Sequence, residues 1–558
     1  MPESSHTVSS TSSQSDTRLL TCVLLALSAT SWLLSWPSIN LWPMCLLWAA
    51  LIVRAAIGAR SWVWLVVWTI IPYSICWGWL LRWSIDVTGP GYPAMVLYSA
   101  AWMVLFVLMI RRLHLRKMLV PIPLCVLAPV VWVGLEYLRA EWFLGAWPWY
   151  LAGLQLIEWP LICQIADIGG VWIMGLLLLC VGGAAAEWLR PHPYRRQAWL
   201  STSLAVLFCL SAVSYGMARF ADEKETPLGR FLVVQTNIKA SNKVAASYEQ
   251  QLLDAAEFMR MTIEGMEQFG EADLIIWPET MLPDIGFDPI TTRDILEQSP
   301  DWSRPCQTQV EEAVEYLSTP MLVGTSTWAD GIDQSHLESL GEFVPINRYN
   351  SAVLVLPDGE LDSYHKIFPT PFGERLPWID AWPWLRQKML DFGGPGVVLE
   401  LDAGPEPTVL EMPRPDAAPL VMISPICFEA TVPSVTRQLF QSQKTGTSPD
   451  LIVNLTNDGW FGDVDGGRLS HAQAARFRCI ELRAPMIRCA NTGQSAAFDS
   501  YGRLVAALPS REAGVLLVEP VGDSRRTLYI LTGNLLPIMC MLFTLLSFIL
   551  TLKSARAE

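Results

Sequence analysis

The chain has 558 residues, of which 52% are apolar and 16% charged, whereas a soluble domain carries roughly 25% charged residues. This composition excludes an ordinary cytosolic enzyme. The net charge of −14 also argues against nucleic-acid binding, because a phosphate ligand needs a concentrated basic face. Residues 1–219 hold 13 basic and 8 acidic side chains, whereas residues 220–558 hold 26 and 45. The sequence therefore predicts an apolar N-terminal part and an acidic, solvated C-terminal part.

The first part begins with a polar segment and continues with long apolar runs. Residues 1–17 contain seven serines and are predicted to be a disordered cytoplasmic tail. Runs long enough to cross about 30 Å of hydrocarbon occur near 18–36, 41–57, 61–81, 93–110, 119–138, 167–189, 198–218 and 527–552. The first run could be a signal peptide, but six further runs and the lack of a clear cleavage site favour an uncleaved anchor. We therefore expect a polytopic α-helical bundle of about eight transmembrane helices, seven in 18–219 and one in 526–558.

Basic residues in the short loops predict the orientation of this bundle. The loops after even-numbered spans and the C-terminal tail hold eleven of them: Arg54, Arg60, Arg111, Arg112, Arg116, Lys117, Arg190, Arg195, Arg196, Lys553 and Arg556. The loops after spans one, three and five hold only Arg82 and Arg139. The positive-inside rule then puts both termini in the cytoplasm and residues 220–525 in the periplasm or an equivalent exterior.

Tryptophans cluster near the predicted span ends, where an interfacial aromatic belt is expected. They are Trp36, Trp42, Trp62, Trp83, Trp147 and Trp149.

The exterior part, residues 220–525, has the pattern of an α/β domain. Short apolar runs typical of strands occur at 231–235, 273–277, 320–324, 352–356, 419–424, 450–455, 485–490 and 514–518. Helical stretches are predicted at 244–269, 306–318 and 470–483. Buried strands that alternate with helices indicate sheet layers covered by helices.

Three strand ends in this domain carry chemically useful side chains. They are Glu279 in WPETMLP (277–283), Lys366 and Glu374 in SYHKIFPTPFGERLPW (363–378), and Cys427 in SPICFEATVP (424–433). Catalytic groups commonly lie at such edges. A cysteine attacks as its thiolate, so we expect Glu279 to act as its base. Lys366 and the backbone N–H of Phe428 are then placed to stabilise an oxyanion, although each residue taken alone is more often packing or surface charge.

The motifs around these residues resemble those of a known family. Glu279 in WPE, Lys366 ahead of PFGE and Cys427 in CFE are similar to the Glu-Lys-Cys triad of the nitrilase (carbon–nitrogen hydrolase) superfamily. With its membrane spans, the chain resembles the membrane-embedded branch, apolipoprotein N-acyltransferase. The resemblance extends to YNSAVLVLPDGE (349–360), NLTNDGWFGD (454–463), HAQAARFRCIELRAPMIRCANTG (471–493) and GAWPWYLAGLQ (145–155). Two positions depart from the family pattern: Phe368 stands where a histidine is usual, and Phe428 where a tyrosine is common. A third departure is the lack of a tryptophan soon after the first strand of the domain, in QTNIKASNKVAAS (235–247).

The resemblance implies a fold and a reaction. The exterior domain would be a nitrilase-like αββα sandwich in the periplasm, attached to the bacterial inner membrane. Cys427 would take an acyl chain from a membrane phospholipid, usually phosphatidylethanolamine, and pass it to the amine of a diacylglyceryl-cysteine apolipoprotein. Glu374 would hold Lys366 and Glu429 would support the site, unless the two carboxylates form ordinary structural salt bridges. No metal or organic cofactor is implied, and the bilayer is a partner.

Two other functions remain open from the residues. A membrane-anchored nitrilase-like amidase would use the same three residues on a small soluble amide. A transporter or receptor with a non-catalytic exterior domain is disfavoured, because transport paths are usually marked by ionisable groups within spans. Here these are few, chiefly Glu136, Asp167 and Glu187.

An aromatic segment follows Glu374 at residues 377–390, PWIDAWPWLRQKML. It contains Trp378, Trp382 and Trp384, which is unusual for a surface that faces water. The segment is either a loop packed on its own domain or an interfacial lid that admits lipid.

The cysteine and histidine pattern does not predict a metal site. The exterior domain has no CxxC pair and only three histidines, His336, His365 and His471. An oxidising compartment would permit a disulfide, but the spacing of the exterior cysteines does not establish one. These are Cys306, Cys427, Cys479 and Cys489.

Overall fold

The structure is a computed structural model that describes residues 9–115, 122–190, 195–222, 225–238, 247–375, 401–415, 417–442 and 446–555, with Trp382, Trp384 and Lys388. It divides into two compact units. The first comprises Met1–Ile85, Gly89–Ala221 and Leu531–Glu558, and the second comprises Asp86–Thr88 and Asp222–Ile530. The main boundaries therefore lie a few residues beyond the predicted 219/220 and 525/526.

The first unit has only helices as regular secondary structure among its described residues. Its helices are α1 (Ser9–Leu34), α2 (Met44–Gly58), α3 (Trp62–Leu80), α4 (Gly91–Leu115), α5 (Leu124–Tyr137), α6 (Pro160–Cys163), α7 (Ala166–Trp188), α8 (Arg195–Ala221) and a C-terminal helix (Leu535–Ala555). Helices α3, α4, α7 and α8 are long and apolar enough to cross a membrane. Three shorter apolar helices are Arg18–Leu34, Met44–Gly58 and Leu535–Thr551. The count of about eight transmembrane helices stays a prediction.

Two element boundaries in this unit differ from the sequence prediction. Helix α1 begins at Ser9, within the segment predicted to be disordered, because an established helix extends into neighbouring residues without a new nucleation step; residues 1–8 lie outside the described part. The last predicted span, 527–552, is divided at Gly533, whose φ of +53° ends one helix before the next begins. The C-terminal helix therefore starts at Leu535.

The tryptophan belt is only partly present. Trp62 is 64% exposed, but Trp36, Trp83 and Trp149 are buried inside the helical unit. Trp36 lies with its ring 5.2 Å from Trp32 and 4.8 Å from Tyr150 in edge-to-face contacts. The belt prediction is wrong for the three buried residues, because aromatic side chains at helix ends also pack with one another through such geometry.

The second unit contains two six-stranded sheets and a two-stranded ribbon among its described residues. Its strands are β1 (Glu225–Pro227), β2 (Phe231–Gln235), β3 (Leu274–Ile276), β4 (Met321–Ile332), β5 (Pro345–Val355), β6 (Leu361–His365), β7 (Leu410–Arg414), β8 (Ala417–Ile423), β9 (Leu451–Thr456), β10 (Met486–Ala490), β11 (Ala496–Phe498), β12 (Leu504–Ala507), β13 (Gly514–Val518) and β14 (Val521–Asp523). The first sheet has the order β13-β2-β3-β4-β5-β6, and the second has the order β12-β11-β10-β9-β8-β7. Strands β1 and β14 pair with each other.

The described residues of the second unit also form helices, the last of which extends two residues beyond Ile530. They are α9 (Tyr248–Phe269), α10 (Pro289–Gln298), α11 (Pro305–Leu317), α12 (Gln334–Leu340), α13 (Pro433–Gln441), α14 (Asp465–Leu482) and α15 (Leu528–Thr532).

The alternation of side chains along β2 shows how the layers are built. Phe231 and Val233 join a core that also contains Met422 and Val453 of the second sheet. Leu232 and Val234 point to the other face, into a core with Phe258 and Val310 of helices α9 and α11. Successive strand residues face opposite sides, so an apolar strand buries both faces. The unit is therefore an α/β domain in which the two sheets share one core and helices α9 and α11 cover the other face of the first sheet.

Strand directions bring the candidate residues to common edges. Strands β2, β3 and β4 are parallel, whereas β5 is antiparallel to β4 and to β6. Strand β6 consequently runs in the same direction as β3, so the residues after these two strands leave the first sheet at the same edge. In the second sheet, β8, β9 and β10 are parallel.

The sequence prediction missed several strands. Strands β1, β6, β7, β11, β12 and β14 had no prediction, and β4 and β5 extend well beyond the predicted 320–324 and 352–356. The extra residues of β4 are 325–332, TSTWADGI, which are largely polar or small. Antiparallel pairing along the β4–β5 hairpin supplies the stabilisation that local propensity lacks.

Candidate active site

Glu279 lies just after β3 with its carboxylate held by two donors. The Asn350 side-chain amide donates to Oε1 at 2.7 Å, and the Asn457 backbone N–H donates to Oε2 at 2.7 Å. Asn350 belongs to β5 of the first sheet, whereas Asn457 follows β9 of the second. Gly324 allows the chain to pass closely here, since a Cβ at that position would lie 2.3 Å from the Pro278 carbonyl oxygen. Both oxygens of a buried carboxylate are thereby fixed in direction.

Lys366 follows β6 and is almost completely buried, with 1% of its surface exposed. Its backbone N–H donates to the Asn350 carbonyl at 2.9 Å. Its ammonium group lies 2.7 and 3.0 Å from the two Glu374 oxygens and 3.8 Å from Glu279 Oε1. Burial acts to lower the pKa of Lys366, but Glu374 and then Glu279 outweigh it and hold the pKa above its ordinary value. The side chain is therefore a fixed cation between two carboxylates.

Glu374 is the closer of these two carboxylates. Its Oε2 also accepts the Thr370 backbone N–H at 2.6 Å. Burial acts to raise the pKa of Glu374, but the charge of Lys366 and the hydrogen bonds lower it overall. Asn350 reaches Glu374 Oε1 at 3.5 Å as well as Glu279, so this amide lies between the two carboxylates.

Cys427 begins a short 3-10 turn, Cys427–Thr431, that follows β8. Its φ is +52°, a left-handed conformation that costs about 1–2 kcal/mol for a residue with a Cβ. Burial is the main cause that raises the pKa of the thiol; the charge of Glu279 raises it further, whereas Lys366 lowers it. The thiol is therefore protonated at rest, within the electrostatic influence of both the carboxylate and the ammonium group.

Glu429 lies on the same turn and ties it to the loop after β6. Its Oε1 accepts the Tyr364 hydroxyl at 2.8 Å and the backbone N–H groups of Ile367 and Phe368, each at 2.9 Å. Its Oε2 accepts the Ile426 N–H at 2.8 Å. Burial raises the pKa of Glu429 to about 7. This carboxylate contacts backbone on both sides of the site, which fits the expected supporting role of Glu429, and that role stays a prediction.

The two positions that depart from the family pattern lie beside each other. The rings of Phe368 and Phe428 are stacked, with centroids 6.3 Å apart and planes at 15°. The Arg375 guanidinium lies 4.3 Å from the centroid of Phe368. The aromatic contact and the cation–π contact replace the polar groups that a histidine and a tyrosine would bring to these positions.

A buried charged cluster lies next to Cys427, and the sequence reasoning assigned it no role. Asp458 Oδ1 is 2.9 Å from His471 Nδ1, and Asp458 Oδ2 accepts Arg488 at 2.7 Å. His471 Nε2 is 3.2 Å from the carbonyl oxygen of Cys427. Burial acts to raise the pKa of Asp458, but Arg488 and His471 lower it far more. We call Asp458, His471 and Arg488 the charged cluster.

Five residues of the site were thus missed individually, although all five fall within quoted motifs. They are Asn350, Asn457, Asp458, His471 and Arg488. A charged residue within or just after an apolar strand is a signal that could have found Arg488 and Asp458, because burial of such a group requires a partner. His471 lies on a helix and has no such signal.

The aromatic segment 377–390 is only partly described. Trp378 lies outside the described residues. Trp382 and Trp384 are 56% and 64% exposed, and Lys388 lies 5.6 Å from the centroid of the Trp384 ring. The lid therefore stays a prediction.

Metal binding and disulfides have no support in the part of the chain that the structure describes. No group of three or more histidine, cysteine, aspartate and glutamate side chains there is arranged to hold a metal ion. The cysteines are free, and Cys306, Cys479 and Cys489 are buried. The arrangement suits nucleophilic chemistry, since a fixed carboxylate and a fixed cation both act electrostatically on a thiol.

Two family models match the chain. Residues 28–184 match the apolipoprotein N-acyltransferase N-terminal domain, and residues 233–524 match the carbon-nitrogen hydrolase model. The chain is similar to proteins described as apolipoprotein N-acyltransferases. One from Bradyrhizobium diazoefficiens is 30% identical over 410 residues, which cover 71% of this chain and 68% of that protein. Another, from Rhodopirellula baltica, is 26% identical over 521 residues, which cover 82% and 85% of the two chains.

A solved structure of a CN-hydrolase superfamily protein from Xanthomonas campestris also matches. Its identity is 15% and its TM-score 0.35, with 54% of this chain and 92% of that chain covered.

Proposed function

We propose a mechanism for this chain on the premise that it belongs to the apolipoprotein N-acyltransferase family, whose activity is lipoprotein N-acylation. Cys427 is the proposed nucleophile, Glu279 the general base and Lys366 the oxyanion-stabilising cation. The observation that carries this assignment is the burial of Lys366 between Glu279 and Glu374, beside a cysteine held at a positive φ. A transporter or receptor has no need of such an arrangement.

In the first half-reaction, the acyl chain moves from a lipid to Cys427. Because the resting thiol is protonated, attack requires that Glu279 take the proton as the sulfur approaches the ester carbonyl carbon. The C–S bond forms and the carbonyl becomes a tetrahedral oxyanion. Collapse breaks the ester C–O bond, and the proton on Glu279 passes to the leaving alkoxide. The products are a thioester on Cys427 and a lysophospholipid.

In the second half-reaction, the amine of a diacylglyceryl-cysteine attacks the thioester. The C–N bond forms, Glu279 receives a proton from the amine, and the C–S bond breaks. That proton then returns to the sulfur, which restores the thiol of Cys427. Glu279 thus serves as base and then as acid in each half, which a carboxylate with both oxygens fixed by Asn350 and Asn457 can do without turning.

Lys366 supports both oxyanions as a charge that does not titrate during the cycle. The two carboxylates raise its pKa, so it remains an ammonium donor rather than a base. The backbone N–H of Phe428 is the proposed second donor, since it follows the nucleophile directly. Preformed donors of this kind contribute strongly because they need no reorganisation as charge develops.

The lipid donor and the location extend the proposal. We infer that phosphatidylethanolamine supplies the acyl chain and that the second unit faces the periplasm of a bacterial inner membrane. The excess of basic residues in alternate loops supports this orientation, and the four long apolar helices support attachment to a bilayer. Trp382 and Trp384, both exposed, fit a role at the lipid surface.

The acyl-enzyme tests the proposal. Purified protein incubated with phospholipid alone should gain the mass of one acyl chain, removable by hydroxylamine and mapped to Cys427. Cys427→Ala should form no adduct, whereas the matched variant Cys306→Ala, which removes another buried thiol of the same unit, should form it normally. Acylation of Cys306, Cys479 or Cys489, or normal acylation in Glu279→Gln or Lys366→Met, would refute the assignment.

A further inference from the structure

The turn that begins at Cys427 depends on one peptide group. The carbonyl oxygen of Cys427 and the N–H of Phe428 belong to the same planar trans peptide, so the two groups point in opposite directions. Any contact that fixes the direction of the carbonyl therefore also fixes the direction of the N–H. In the proposed reaction this N–H is an oxyanion donor, and the inference below rests on that proposed function.

The contact that fixes this carbonyl is His471. Its Nε2 lies 3.2 Å from the Cys427 carbonyl oxygen, and the imidazole is 1% exposed. A carbonyl oxygen can only accept a hydrogen bond, so His471 Nε2 must carry a proton for the contact to be favourable. The imidazole is then a donor to the peptide that supplies the Phe428 N–H.

The rest of the charged cluster supports this protonation state at Nδ1. Asp458 Oδ1 lies 2.9 Å from Nδ1, and Arg488 Nη2 lies 3.1 Å from it. Nδ1 can donate to Asp458 in the imidazolium form or accept from Arg488 in the neutral form. Each of these two forms has the proton on Nε2 that the contact with the Cys427 carbonyl oxygen requires, whereas a neutral ring with its proton on Nδ1 would lose that contact.

Neighbouring strands also hold the charged cluster in place beside the strained turn that begins at Cys427. Arg488, on β10, donates to Asp458 at 2.7 Å and to Asn454 at 2.5 Å. Asn454 lies on β9, and Asp458 follows that strand. His471 comes from helix α14. Because a residue at φ +52° persists only where its surroundings hold it, a donor backed by two neighbouring strands is suited to this task.

We propose that His471 is a positioning residue that orients the Cys427–Phe428 peptide and thereby aims the Phe428 N–H at the acyl oxyanion. Asp458 and Arg488 act through His471, since they hold its ring and its proton. None of the three touches the substrate. Without the imidazole donor, the peptide is free to rotate, and its carbonyl oxygen can then turn toward the position where the oxyanion forms.

Two reactions of the same thiol separate this role from a general loss of structure. Acylation by an ester passes through an oxyanion, whereas alkylation of Cys427 by iodoacetamide does not. In His471→Leu, we expect the rate of acyl-thioester formation to fall by roughly 10²–10³, as for the loss of an oxyanion donor. Alkylation of Cys427, measured by peptide mass mapping, should stay within about threefold of the wild-type rate, since no oxyanion donor is involved.

Two further variants complete the test. His471→Gln keeps an N–H donor and should be acylated about tenfold faster than His471→Leu, since a single restored donor returns about 1.4 kcal/mol. Phe477→Leu, a core substitution on the same helix α14, should lower stability without changing the ratio of acylation to alkylation.

The outcomes distinguish the inference from the mechanism on which it rests. Equal losses of acylation and alkylation in His471→Leu, or no loss of either, would overturn the role of His471, while acylation of the wild-type Cys427 would still support the proposed function. An unprotonated Nε2 would also overturn it. The protonation state of Nε2 is measured by the ¹⁵N chemical shifts of the protein labelled at histidine. The His471 signals are assigned by their absence from the spectrum of His471→Gln.

Discussion

Replacement of Glu374 by glutamine removes the carboxylate nearest to Lys366 while keeping the shape of the side chain. In the wild-type protein, Lys366 Nζ is 2.7 and 3.0 Å from Glu374 but 3.8 Å from Glu279. Without Glu374, the ammonium group has one remaining carboxylate partner. We therefore expect Lys366 to move toward Glu279 and form a closer ion pair with it, which weakens both the base and the oxyanion donor.

The size of the effect follows from the contacts that are lost and kept. Breaking a buried ion pair costs about 3–5 kcal/mol when the remaining charge has no partner. Here Glu279 and the Thr370 hydroxyl, 3.4 Å away, still face the ammonium group, and the glutamine oxygen can accept one hydrogen bond. A cost of about 1–3 kcal/mol is more appropriate for such a replacement. If this cost is added to the activation free energy of acylation, the acylation rate falls about 5- to 150-fold.

The assay is single-turnover acylation of Cys427, followed by intact mass spectrometry. Glu481→Gln is the matched control, because Glu481 forms a buried ion pair with Arg478 at 2.9 Å in the same unit. It should lower the apparent Tm to a similar extent and leave the acylation rate unchanged. Acylation by Glu374→Gln within threefold of wild type, or an equal loss in the control, would refute the reasoning.

Two other substitutions test groups that face the same site. Asn350→Ala removes a hydrogen bond to a charged group, which is worth about 1.5–3 kcal/mol, and should slow acylation at least tenfold. Asn350→Asp should be acylated more slowly still in the same assay, because a third carboxylate would repel Glu279. Faster acylation of Asn350→Asp than of Asn350→Ala would contradict this. The pKa of Glu429 is raised to about 7 in the folded protein, so its contribution to stability is complete below its ordinary pKa and is lost as the pH rises through about 7. Wild-type stability should consequently fall by about 3 kcal/mol relative to Glu429→Gln between pH 4.5 and 8, as measured by unfolding of both proteins across that range, and parallel pH profiles would argue against a raised pKa.

The sequence was sufficient to locate the candidate residues that depend on local order. Glu279 and Cys427 follow apolar strands, and such strand ends can be recognised from the apolar run and the polar residue that closes it. Lys366 was found through its motif rather than its strand, since β6 is a short edge strand whose pairing with β5 comes from the hairpin. The layered fold followed from the alternation of strands and helices.

Contacts between distant segments could not be predicted in this way. His471 reaches Cys427 across 44 positions, and Asn457 reaches Glu279 across 178. Nothing in the local sequence distinguishes these residues from other buried polar groups. The same limit explains the error at Trp36, because an aromatic residue near a span end has the same composition signal at a membrane interface and in a packed aromatic core.

The central claim is that this protein moves an acyl chain from a phospholipid through Cys427 to the amine of a lipoprotein, and an assay with both substrates tests it most directly. Purified protein is incubated with phosphatidylethanolamine that carries a labelled acyl chain and with a synthetic diacylglyceryl-cysteine peptide, and both products are identified by mass spectrometry. We predict a peptide acylated on its N-terminal amine and an equimolar amount of lysophospholipid, with neither product formed by Cys427→Ala. Release of free fatty acid without peptide acylation, or peptide acylation by Cys427→Ala at the wild-type rate, would contradict the proposed function.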